Sequence, residues 1–117
     1  MYKITGLTAN YNQILTLFIS QSSQITLKMH YYATQQSWMY DIEYKDFVIK
    51  NQRLHISYNL LDKYKNILPF GILVKSLDGG EPLYLEDFTY PRIEMYLITA
   101  DEAQSIHTQY FRRWIND

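Results

Sequence analysis

Apolar and polar residues alternate along much of this chain, with the period of two that lets a strand bury one face and wet the other. The clearest run is Gln24 to Tyr32, where Ile25, Leu27, Met29 and Tyr31 alternate with Gln24, Thr26, Lys28 and His30. Ser37 to Tyr44 repeats it, with Trp38, Tyr40, Ile42 and Tyr44 set against Met39, Asp41 and Glu43. A strand is also predicted from Gln13 to Ser20, and Lys45-Asp46 turns the chain into another at Phe47-Val48-Ile49. Strand and turn signals at this density predict an antiparallel β architecture.

Between Ser57 and Asn66 the period changes. Leu60, Leu61 and Tyr64 fall at helical spacing and Asn59 is placed to cap them, so a short helix or helical turn is predicted, ended by Pro69 and Gly71. A strand from Ile72 to Leu77 leads into Asp78-Gly79-Gly80, a tight-turn signal. Glu81 to Tyr90 reads as an excursion with little regular structure, because Pro82 and Pro91 lack ladder donors, and Arg92 to Ile98 returns as a strand.

From Thr99 the chain obeys another rule. Thr99-Ala100-Asp101-Glu102 is a capping box, and Ala103, Ile106, His107, Tyr110, Phe111 and Trp114 follow as an apolar stripe at helical spacing. Arg112 and Arg113 sit in its last turn, where the helix dipole favours cations. An isolated helix of this length is marginal in water, so it needs a surface to lie on. The expected architecture is therefore mainly β: a small antiparallel barrel or sandwich with one short internal helix and a C-terminal amphipathic helix. The expected division is a β domain over residues 1–98 and a helical extension over 99–117.

At 117 residues, 47% of them apolar, the chain has material for one core and not for two. Net charge is −1 and only Arg112-Arg113 form an adjacent basic pair, so the clustered cations of phosphate recognition are missing and no direct nucleic-acid contact is expected. There is no cysteine, which removes disulfides and thiolate zinc sites from consideration. The longest apolar run, Ile14 to Ile19, is broken by Thr16 and is far shorter than the roughly 20 residues of a membrane helix. The first residues lack the charged and apolar regions of a signal peptide. The expectation is a soluble chain that stays in the cell that makes it until lysis.

Candidate chemistry is sparse. His30, His55 and His107 share no ligand spacing, and Glu81, Glu86 and Asp87 do not follow a calcium-loop pattern. Asp41 and Glu43 share a strand face, yet adjacent carboxylates without an apolar pocket read as a solvated or subunit-contacting face. No catalytic, metal-ligating or cofactor-binding residue is assigned, and no cofactor or enzymatic activity is expected. The aromatic content is where function shows. Twelve of the residues are Tyr, and Tyr and Trp serve as rigid interface anchors. The candidate protein-contact residues are Trp38, Tyr40, Tyr44, Tyr110, Phe111 and Trp114.

A spaced set of short blocks adds to this: Ser37-Trp38-Met39-Tyr40-Asp41-Ile42, Asn59-Leu60-Leu61-Asp62-Lys63-Tyr64, Pro69-Phe70-Gly71-Ile72, Glu81-Pro82 and Asp87-Phe88. In that order and spacing, from about Asn12 to Ile98, the chain resembles the small baseplate plug proteins of contractile-tailed bacteriophages. Asp87-Phe88-Thr89 stands where that family commonly carries a glycine-bearing segment, and the C-terminal helix lies beyond the family pattern. The resemblance implies a structural virion protein at the central axis of the baseplate, made in the host cytoplasm, joining or closing the tail-tube lumen. It implies tube, hub and tape-measure proteins as partners, a ring-forming homo-oligomer in the assembled tail, and no membrane. The alternative from the residues alone is an aromatic-faced β-barrel that binds oligosaccharide or single-stranded nucleic acid. A small hydrolase or transferase is disfavoured.

Overall fold

The computed structural model describes residues 1–21, 23–90, 92–106 and 108. Its strands are β1 (Tyr2–Lys3), β2 (Asn12–Ser20), β3 (Ser23–Tyr32), β4 (Ser37–Tyr44), β5 (Phe47–Arg53), β6 (Phe70–Ser76) and β7 (Ile93–Thr99). All pairings are antiparallel, in one sheet ordered β2-β3-β4-β5 and another ordered β1-β7-β6. The alternating positions build the core between them. Ile25, Leu27 and Met29 of β3 and Trp38, Tyr40, Ile42 and Tyr44 of β4 are buried, as are Phe70, Ile72 and Val74 of β6 and Ile93, Met95 and Leu97 of β7. Each such side chain contributes about 1.5–3 kcal/mol as an upper bound. Tyr44 meets Phe70 edge to face from the opposite sheet, with ring centroids 5.3 Å apart.

The sheets form a sandwich and do not close into the barrel that was the other expected arrangement. β2 and β5 end one sheet without a partner in the other, and β1, with two residues, is too short to carry a ladder across. Among the described residues, the one isolated bridge joins Ser57 to Val74.

Most strand boundaries fall within two residues of those predicted, while β5 extends further than expected and β1 was not foreseen. The internal helix shrinks to a 3-10 turn at Asp62–Tyr64, and a second such turn, Leu85–Asp87, lies inside the excursion. Asn59 does not cap a helix as expected. It is buried, and its Oδ1 accepts hydrogen bonds from the amides of Leu61 (3.0 Å) and Ile72 (3.1 Å), fastening the 57–68 segment to β6. A Cβ on Gly71 would lie 2.5 Å from that oxygen, so glycine is required there by close approach.

The capping box forms as predicted: Glu102 N–H donates to Thr99 Oγ1 (3.1 Å) and Thr99 N–H to Glu102 Oε1 (3.0 Å). It opens a helix, α1, described over residues 100–106, with Ala103 buried and Ile106 half-buried. His107, Tyr110, Phe111, Arg112, Arg113 and Trp114 lie outside the described residues.

The Asn59–Gly71 fit gives a direct test. Gly71→Ala is expected to cost about 2 kcal/mol by overpacking, and Asn59→Ala a similar amount by leaving two buried amides without an acceptor, about 1–3 kcal/mol. In urea unfolding the double variant is expected to lose less than the sum, because removing the Asn59 side chain makes room for the added methyl.

An aromatic end and an open edge as candidate contact surfaces

The connection between β6 and β7 is held by one arginine. Arg92 donates from Nε and Nη2 to the two carboxylate oxygens of Asp87, each at 3.0 Å, and from Nη1 to Asp78 Oδ1 at 3.0 Å. Nη2 also donates to the carbonyl of Glu81. Asp87 is buried and takes a further bond from the amide of Tyr84 (2.9 Å), so the bidentate pair sits where it is poorly screened. Asp78 accepts from the amide of Gly80 (2.8 Å) and the hydroxyl of Ser76 (3.0 Å). A Cβ on Gly80 would come within 2.8 Å of Arg92 Nη1, so the turn predicted from Asp78-Gly79-Gly80 serves to admit the guanidinium.

So fixed, the connection offers two carbonyls to the aromatic side chains at one end of the larger sheet. Trp38 Nε1 donates to Tyr84 O (3.0 Å) and Tyr31 Oη to Leu83 O (2.6 Å). The rings continue as a tilted series: Tyr11 to Tyr31 at 6.0 Å, Tyr31 to Trp38 at 5.1 Å and Trp38 to Phe88 at 5.3 Å between centroids. Burial pushes the Tyr31 phenol above its ordinary value, with the charges of Asp87 and Glu86 adding to it.

This placement corrects the expected contact set. Trp38, Tyr40 and Tyr44 are core residues, exposed by 0%, 3% and 8%, because β4 is an inner strand covered on its apolar side by the other sheet. Tyr110, Phe111 and Trp114 lie outside the described residues. Among the described residues the exposed aromatics are Tyr2, Tyr11, Phe18, Tyr32, Tyr84 and Tyr90. Tyr11 and Tyr84 flank Tyr31 at the aromatic end. Strand parity carried part of this signal: Tyr31 lies opposite Trp38 on the buried side, and Tyr32, one residue on, faces out.

The outer face of the larger sheet has no aromatic series between Gln24 and His30. It carries cross-strand polar pairs. Lys28 Nζ lies 3.3 Å from Glu43 Oε1, and His30 Nε2 lies 3.3 Å from Asp41 Oδ2, whose other oxygen accepts from Asn51 N–H (2.8 Å). Asp41 and Glu43 thus each have a separate partner. Glu81, also considered as part of an acidic loop, accepts from the amide of Ile56 (3.1 Å). Among the described residues no group of three or more His, Asp, Glu or Cys could hold a metal ion, and no helix is long and apolar enough to cross a membrane.

A second apolar surface lies at the edge. Among the described residues β2 has no strand neighbour on one side, and Ile14 and Phe18 on its outer face are exposed by 67% and 54%.

Arg92→Ala leaves the buried Asp87 carboxylate unpaired and is expected to cost about 3 kcal/mol, read from chemical denaturation, with loss of the near-ultraviolet signal of Trp38 as its loop acceptor moves. Acid lowers stability through three carboxyls, of which Glu102 is held below its ordinary value of 4.5 by hydrogen bonds from the N-terminal amine and the Thr99 amide. Asp78 is held below its ordinary value of 3.8 by the Gly80 amide, Ser76 and Arg92, and Glu94 below 4.5 chiefly by a hydrogen bond from Lys3. Their contribution is complete above those ordinary values and is lost as pH falls through the lower folded-state values. The urea midpoint is therefore expected to decline as pH falls below about 5, less steeply in Asp78→Asn, Glu94→Gln and Glu102→Gln.

The family model for the cyanophage baseplate Pam3 plug gp18 matches residues 1–102, the whole sandwich and the first turn of α1. No curated protein matches the chain. The blocks that carried the resemblance meet in space, Asn59 against Gly71 and Trp38 against the loop that Asp87 holds. The chain belongs to the family of the cyanophage baseplate plug.

Proposed function

We propose that this baseplate plug protein closes or bridges the tail-tube lumen at the centre of the baseplate until contraction, acting through protein contacts and no bond chemistry. The observation that carries the reading is the combination of family membership with a rigid sandwich whose solvent-facing aromatics, Tyr11, Tyr84 and Tyr90, border one arginine-fastened connection. Tyrosine supplies large contact area with few rotatable bonds, which suits a surface that must hold several neighbours and then release them. The partners in this reading are the tube, hub and tape-measure proteins, and ring symmetry in the assembled tail multiplies weak contacts into a firm closure.

Residues 1–98 form the plug body in this reading and 99–117 an extension that docks on a neighbour. The family match ends at residue 102, so the stripe of Tyr110, Phe111 and Trp114 belongs to what is particular to this chain. Phage carrying an early stop in the gene for this chain, supplied with it in trans, would test both parts. The wild-type chain is expected to restore infectious tails with a closed distal lumen. Phe111→Ala with Trp114→Ala is expected to fold but to enter baseplates at least about tenfold less, because two aromatic contact side chains are removed. Normal tails without the chain would overturn the lumen reading, and normal incorporation of the double variant would overturn the role given to the extension.

A further inference from the structure

The two outer strands of the larger sheet are built differently. β5 carries the devices that keep a sheet edge from pairing: Lys50 and Arg53, a register shift on its β4 side between Tyr40 and Ile42, and a positive φ of 55° at Asn51. β2 has neither proline nor charge, and from Ile4 to Leu27 the chain contains no charged residue at all. The irregularity in its pairing, between Phe18 and Ser20, lies at its end.

β2 is also unfinished on its inner side. Leu15, Leu17 and Ile19 are half-buried, whereas Ile25, Leu27 and Met29 on the next strand are fully enclosed. An open hollow of about 300 Å³, whose lining includes Thr16, Leu17 and Phe18 on one side and Tyr2, Lys3 and Ile4 on the other, runs beside it where β1 is too short to cover it.

The direction of the free backbone groups follows from the ladder. Tyr31 N–H donates to Tyr11 O (2.8 Å), and the register continues with Gln13 opposite Met29, Leu15 opposite Leu27 and Leu17 opposite Ile25. In an antiparallel ladder the bonded pairs alternate, so these odd-numbered residues bond to β3. The N–H and C=O groups of Asn12, Ile14, Thr16 and Phe18 point off the sheet.

We propose that β2 pairs with β2 of a second copy, antiparallel and centred on Thr16, joining the two larger sheets into one. The strand is self-complementary about that point. Thr16 lies opposite its own counterpart, Ile14 opposite Phe18 and Phe18 opposite Ile14, so both exposed apolar side chains are covered at once. Neither β2 strand brings a charge of its own to the contact. The inner residues keep their side, with Leu15 opposite Leu17, because the register preserves strand parity. The pairing forms on the order of eight main-chain hydrogen bonds, close to the roughly ten of a standard interface.

A twofold pair is closed by its own contact and adds no further subunits to a ring, so this pairing belongs to the free chain ahead of assembly. There it covers an edge that would otherwise seed open-ended association. The pairing stands independently of the lumen-closing reading.

The chain has no native cysteine, so single cysteines report the register. In the full-length protein Thr16→Cys is expected to form a disulfide-linked dimer on mild oxidation, since a bonded cross-strand pair holds its Cα atoms about 5.5 Å apart, inside the disulfide range. Ile14→Cys, whose counterpart lies four residues along the partner strand, is expected to cross-link at least about tenfold more slowly, beyond the reach of the bond. Thr16→Lys is expected to yield monomers by analytical ultracentrifugation with an unchanged circular dichroism spectrum, and Val48→Lys on β5 to remain paired. A monomeric wild-type chain, equal cross-linking at positions 14 and 16, or a dimer that survives Thr16→Lys would overturn the proposal.

Discussion

The bidentate contact between Arg92 and Asp87 is the interaction on which the aromatic end depends. It closes the long connection between β6 and β7 back on itself and presents the carbonyls of Leu83 and Tyr84 to Tyr31 and Trp38. Without those acceptors an indole N–H and a phenol would be left unpaired within a well-packed region, at a cost of about 1–3 kcal/mol each. One ion pair therefore governs the conformation of a long loop, the satisfaction of two aromatic donors and the position of Tyr84, over whose ring the Arg92 guanidinium also lies. Glycine at position 80 is the local condition for the contact, because any side chain there would displace the guanidinium.

Asn59 does the corresponding work at the other side of the smaller sheet, where the 57–68 segment covers β6. In both places a short polar side chain substitutes for a missing strand, satisfying backbone amides that the ladder leaves open. This explains why the blocks behind the family resemblance are spread along the chain: they are the pieces that fasten irregular segments to the sheets. Their spacing follows the fold, and they do not converge on a chemical site.

Legibility in the sequence followed the same division. The alternation of β3 and β4 located both strands and their buried faces, and Thr99 with Glu102 located the start of α1, because these features depend on neighbours one to four residues away. The roles of Asn59 and Arg92 depend on partners brought close by the tertiary fold, such as Ile72 for Asn59 and Asp78 for Arg92, and no local pattern reports them. The three contact residues expected on β4 were misplaced for a related reason. Trp38, Tyr40 and Tyr44 carry the mark of interface anchors, but the same mark belongs to a sandwich core, and only the position of β4 inside its sheet decides between them. The exposed tyrosines could be found from strand parity and from their place in loops, while the open edge at β2 required the strand order.

The larger picture is of a scaffold whose body is fixed by internal polar locks, and to which the proposed reading assigns contacts through exposed aromatics, one undefended strand and the helix that continues past the family match. The most direct measurement is a cryo-electron microscopy reconstruction of the intact tail tip at a resolution that traces strands. The account predicts the sandwich on the baseplate axis, with Tyr84 and Tyr90 against neighbouring tail proteins and the extension after residue 98 lying on an adjacent subunit. A sandwich at the baseplate periphery, or one whose aromatic end faces solvent, would contradict it.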